Sequence, residues 1–133
     1  MRKILFRGKR NGYAEQRDRD WLEGSLLVGD NGECEICYGT PRVRITYSVI
    51  PETVGQYTGL LDKNGKKIFE GDIVRVNRSE VPSIVEYSEC NCGFHADSRS
   101  DDYFSISVLN RDLVDLEVIG NIYDNPELLE AQS

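Results

Sequence analysis

A chain of 133 residues with 39% hydrophobic and 29% charged side chains is long enough for one compact domain over 1–133, and its composition is not that of a disordered protein. No apolar run nears the roughly 18–20 residues that cross a bilayer, and Ile4-Leu5-Phe6 is far short of the about 7–15 of a signal-peptide core, so a soluble protein of the bacterial cytoplasm is expected, with no membrane partner. The net charge of −7 argues against indiscriminate phosphate binding.

That charge is unevenly spread. Residues 1–79 hold 14 Lys and Arg against 11 Asp and Glu, whereas residues 80–133 hold 2 against 12. Halves of opposite sign can pair within one domain or head-to-tail between subunits.

Lys3 to Phe6 predicts a first strand with Ile4 and Phe6 on one face, followed by a turn or loop at Gly8-Lys9-Arg10-Asn11-Gly12. Trp21 to Val28 reads as a strand broken by Gly24, a candidate bulge, with Trp21 a core residue or an interface anchor. Gly29-Asp30-Asn31-Gly32 marks a turn. Glu33 to Tyr38 then places Cys34, Ile36 and Tyr38 on one side and Cys37 on the other. Arg42 to Tyr47 alternates Val43, Ile45 and Tyr47 with Arg42, Arg44 and Thr46.

Asp62-Lys63-Asn64-Gly65 between Gln56–Leu61 and Lys66–Phe69 carries the strongest hairpin signal, read as a type I′ turn whose two central residues take positive φ. Glu70-Gly71-Asp72 supplies a corner before Ile73–Val76. Ser83–Tyr87 is a strand and Ser88–Ser100 a polar loop holding Cys90, Cys92 and His95. Tyr103–Val108 and Glu117–Ile122 are strands, and Asn125-Pro126 opens a short helix to Ala131, with Asn125 as cap. Roughly seven to nine short strands between turn signals predict a mainly β, β-rich α+β fold. The expected form is a small SH3-like barrel with N-terminal strands and a short C-terminal helix.

Three constellations offer chemistry. Arg2, Lys3, Arg7, Lys9 and Arg10 beside Tyr13, with Arg42 and Arg44, form a basic set suited to nucleic acid. Against it stands the reading of solvated strand ends. Cys34, Cys37, Cys90 and Cys92 form two close pairs that four-coordinate zinc accepts, although Cys-x-Cys is an atypical knuckle. Free thiols, with no cofactor, are the leading reading, and disulfide or redox chemistry is a third. The single histidine, His95, reads as an exposed loop residue, and no nucleophile elbow or phosphate-cradling glycine motif accompanies it, so the chain is expected not to be an enzyme.

TVGQYTGLLDKNGKKIFEGDIV from Thr53, and EVIGNIYDNPELL from Glu117 to Leu129, resemble the YopX family of phage and prophage proteins. RKILFRGK and Trp21-Leu22-Glu23-Gly24 fit it more loosely, and Asn77 to Leu116 lies outside the matching blocks. The resemblance implies a small phage-encoded cytoplasmic protein that self-assembles into homo-oligomers; no catalytic residues come with it. The expected role is a protein-interaction or assembly module with a host or phage protein as further partner. Nucleic-acid binding and structural zinc stand as alternatives.

Overall fold

In the computed structural model the described residues are 3–11, 21–77, 81–89, 92–97, 103–105 and 115–130. They form eleven β-strands and one short helix, a mainly β fold as expected. The chain divides into two compact units, Met1–Tyr57 and Thr58–Ser133.

In the first unit, β1 (Phe6–Lys9), β2 (Trp21–Val28), β3 (Cys34–Gly39), β4 (Arg44–Val49) and the start of β5 (Gly55–Leu61) lie antiparallel in the order β4-β3-β2-β1-β5. β1 begins at the residue where the predicted strand ends, so Gly8 and Lys9 are strand rather than loop and Ile4 is exposed. Gly8 suits this position because a Cβ there would press on the Val49 side chain at 3.0 Å.

β2 pairs with β1 through Trp21–Gly24 and with β3 through Ser25–Val28. Gly24, at the switch, makes no bulge. It permits a close approach instead, since a Cβ there would lie 2.3 Å from the Cys37 carbonyl oxygen. The sheet curls until Arg10 bridges Val49 and Asn11 N–H donates to the Ser48 carbonyl at 2.9 Å. Buried inside the curl are Cys34, Ile36 and Val49, packed by Phe6, Leu22, Leu26, Tyr38 and Val54. Thr53, in a 3-10 turn at Pro51–Thr53, fixes the exit: its Oγ1 accepts from Lys9 N–H at 2.9 Å and donates to the Ile50 carbonyl at 2.6 Å.

The second unit holds the rest of β5, β6 (Lys67–Phe69) and an antiparallel sheet in the order β10-β9-β8-β7-β11. Its strands are β7 (Asp72–Val76), β8 (Ser83–Ser88), β9 (Gly93–Asp97), β10 (Tyr103–Ser105) and β11 (Leu116–Asn121). Ile68, Val74, Val76, Val85, Ala96 and Leu116 make its core, with Leu60, Phe94 and Val118 packed against it. Tyr87 meets Phe94 edge-on, ring centroids 5.4 Å apart. The segment read as a polar loop thus contains β9, held by its ladder to β8.

The β5–β6 hairpin forms where the Asn-Gly signal put it, with a different turn. Among the described non-glycine residues only Asn77 and Cys92 have positive φ, so Asn64 does not; Gly65 has φ 83°. Gly65 N–H donates to the Asp62 carbonyl at 3.0 Å, and Asp62 N–H to the Lys66 carbonyl at 2.7 Å. This is a type I turn followed by a left-handed glycine that forms a bulge. Asp62 selects it, because its Oδ1 accepts from Asn64 N–H at 2.8 Å and Lys66 N–H at 2.9 Å. Gly29–Glu33 repeats the pattern with Gly32 at φ 87°.

At the Glu70-Gly71-Asp72 corner, Gly71 takes φ 89° and buried Asp72 accepts from Phe69 N–H at 2.8 Å. α1 (Glu127–Glu130) closes the described chain. Asn125 spends its side-chain carbonyl on Asn121 N–H, at 3.2 Å. The expected SH3-like barrel is not seen among the described residues. Among them neither sheet closes, and the bridge between Arg10 and Val49 stands outside the named strands.

Candidate functional site

Among the described residues the basic set divides into buried and exposed members. Arg2 lies outside the described residues. Arg7 and Lys9 are buried at 9% and 6% exposure, because their place in β1 puts them on the Trp21 face: Lys9 pairs with Trp21, and Arg7 with Glu23. The Arg7 guanidinium stands 4.8 Å from the Trp21 ring centroid and the Lys9 ammonium 5.9 Å. Trp21 is half-buried and serves these cations instead of joining the apolar cluster. Arg10 lies 4.1 Å from the Tyr47 ring centroid, and Tyr47 stacks on Tyr38 at 6.3 Å. Lys3, Arg42 and Arg44 are exposed, Arg44 opening β4 opposite Gly39.

β4 ends its sheet. Beyond the bridge at Val49 and the bond to Ser48, Arg44 to Tyr47 have no strand partner on their outer side among the described residues. Ile45 and Tyr47 alternate on the face that carries Val49 into the core, yet Ile45 is 39% exposed and Val43 65%. An apolar strand edge with unused backbone donors and acceptors is a pairing surface.

In the second unit, β8 and β9 assemble a group that the sequence left scattered. Glu86 lies directly opposite His95, and Asp97 is two residues further along β9. The ligating atoms of Glu86, His95 and Asp97 lie within 4.8 Å of one another. His95 Nε2 is 3.5 Å from Glu86 Oε2. His95 is 8% exposed, so the expected surface histidine is a buried one, for the reason that its segment is a strand. A cleft of about 280 Å³ lined by Lys63, Arg75, Asp115 and Glu117 lies elsewhere in this unit, and Lys63 Nζ and Glu117 Oε2, 3.0 Å apart, pair across it.

A scan against protein-family models matches the YopX protein family over residues 7–130. The chain belongs to the YopX family. The match runs through the segment from Asn77 to Leu116 that the sequence blocks left out. Protein EF1440 from Enterococcus faecalis has a similar fold, with TM-score 0.52 and 23% identity over 96% of this chain and 98% of that one. Protein yopX from Bacillus subtilis is similar at TM-score 0.50 and 19% identity, over 97% of each chain. At such identities the likeness is one of fold. The search of curated proteins gives no match.

The cysteines of this YopX family member fall in both units. Cys34 belongs to the first unit's core, Cys37 faces the other side of β3, and exposed Cys92 sits in the β8–β9 turn; Cys90 lies outside the described residues. No helix among the described residues is long and apolar enough to cross a membrane. Local sequence offered no sign of the Glu86–His95–Asp97 group, since nine residues separate Glu86 from His95 and only the ladder register joins them.

Proposed function

We propose that this chain is a phage- or prophage-encoded, non-enzymatic assembly module of the bacterial cytoplasm. It associates with further copies of itself along the outer edge of β4 and in that form engages a host or phage protein. The observation that carries the reading is the unpartnered stretch from Arg44 to Tyr47, among the described residues, with Ile45 39% exposed. Strand addition there satisfies backbone groups and covers Val43 and Ile45 in one step. Arg42 and Arg44 flank the edge, and residues 80–133, with 12 acidic against 2 basic side chains, offer a second copy's complementary charge.

Sedimentation equilibrium of the full chain tests this. The parent is expected to form a concentration-dependent oligomer, and Ile45→Lys to shift it to monomer while leaving the thermal unfolding midpoint nearly unchanged. A parent that stays monomeric, or an Ile45→Lys chain of unchanged mass, would refute the assignment. Lys3, Arg42 and Arg44 are exposed, which keeps a nucleic-acid role as the second reading. Single-stranded DNA binding at low salt that falls steeply as salt rises would favour it.

A further inference from the structure

We propose that Glu86, His95 and Asp97 bind one divalent first-row transition ion, of the Zn²⁺ or Mn²⁺ class, through one imidazole nitrogen and one oxygen from each carboxylate. All three lie in the β8–β9 ladder of the second unit. Val85 and Ala96, opposite one another, point into the core. Strand alternation therefore sends Glu86, His95 and Asp97 together to the other face.

The spacing, that of a loose ion pair, also suits a coordination sphere. His95 Nε2 and Glu86 Oε2 are 3.5 Å apart. A strong charge-assisted hydrogen bond between them would be about 2.7–2.9 Å. Two ligands each about 2.1 Å from a tetrahedral ion stand roughly 3.4 Å apart. All the ligating atoms lie within 4.8 Å, so the third can join the same sphere by a small side-chain rotation.

The scaffold is also stiff. β9 is paired on both sides, His95 lying opposite Glu86 on β8 and, by register, opposite Ser105 on β10. The His95 side chain is 10% exposed and that of Glu86 is 47% exposed, so an ion enters from the glutamate side and keeps water in its remaining positions. One neutral imidazole with two carboxylates selects zinc, manganese or iron(II) over calcium, which takes oxygen ligands, and over copper(I), which takes sulfur. The two negative charges match a dication.

The test is titration of the metal-free full chain with Co²⁺ as an optical probe, repeated with Zn²⁺ by calorimetry. One equivalent is expected to bind with ligand-field bands and no thiolate charge-transfer band. Glu86→Gln and His95→Gln should each weaken binding by at least about tenfold, since even outer-shell partners of a metal ligand carry that much. The Cys37→Ser/Cys90→Ser/Cys92→Ser chain should bind as the parent does. Glu86 is exposed, so Glu86→Gln folds normally and separates loss of the site from loss of structure. Absence of binding, binding unaffected by Glu86→Gln, or binding lost with the cysteines would each overturn the proposal.

Discussion

Replacing Asp62 should loosen the second unit, because this buried carboxylate joins two pieces of structure. Its Oδ1 holds the hairpin turn through Asn64 and Lys66 N–H. Its Oδ2 accepts from Val118 N–H at 3.0 Å, and Lys63 N–H donates to the Leu116 carbonyl at 2.9 Å. The hairpin tip thus occupies the outer edge of β11, the last strand of its sheet. Hydrogen bonds to a charged acceptor contribute about 1.5–3 kcal/mol each. In the Asp62→Ala chain the N–H groups of exposed Asn64 and Lys66 rehydrate, which leaves mainly the Val118 bond and the turn preference, a net loss of about 2–4 kcal/mol.

Burial acts to raise the Asp62 pKa, but the hydrogen bonds from Val118, Lys66 and Asn64, aided by the Lys66 charge, hold it below the usual carboxylate value. A depressed carboxylate contributes stability that is complete above the unfolded value of about 3.9 and is lost as pH falls through the folded one. The stability gap between the parent and Asp62→Asn should therefore narrow on acidification below about pH 4. Urea unfolding followed by circular dichroism measures the loss, and hydrogen exchange at the Val118 amide locates it. An Asp62→Ala chain within about 0.5 kcal/mol of the parent, the range of ordinary surface substitutions, would refute the reasoning.

Gly24→Ala forces a Cβ to 2.3 Å from the Cys37 carbonyl oxygen, so β2 or β3 must shift; urea unfolding should show a loss of about 1–3 kcal/mol. Gly65→Ala meets no atom within 4 Å, so its cost is the left-handed backbone alone, about 1–2 kcal/mol by thermal unfolding. A larger loss for Gly65→Ala than for Gly24→Ala would reverse the assignment of close contact to one glycine and turn geometry to the other.

Local pattern determined much of this protein. Alternation in Glu33–Tyr38 divides Cys34, Ile36 and Tyr38 from Cys37, and the residues from Thr53 and from Glu117 point to the family. Asn-Gly located both hairpins, because a glycine able to take positive φ is needed wherever the chain reverses so tightly. Turn type was another matter. It depended on the Asp62 carboxylate, whose second oxygen reaches Val118, 56 residues away.

The apolar run Ile4-Leu5-Phe6 predicts the first strand too early in the chain, whereas β1 takes Arg7 and Lys9, and Trp21 on the neighbouring strand shelters the two cations. Ser88–Ser100 read as loop because polar residues, glycine and cysteine outnumber apolar ones there; β9 exists through its pairing with β8 and β10. Amino-acid order thus determined where the chain turns and which residues alternate, since those are properties of neighbours. Tertiary structure decided which strands lie side by side, and with that the burial of Arg7 and Lys9, the place of β4 at the end of its sheet among the described residues and the meeting of Glu86 with His95 and Asp97, because backbone pairing between distant segments leaves no periodic trace in either one.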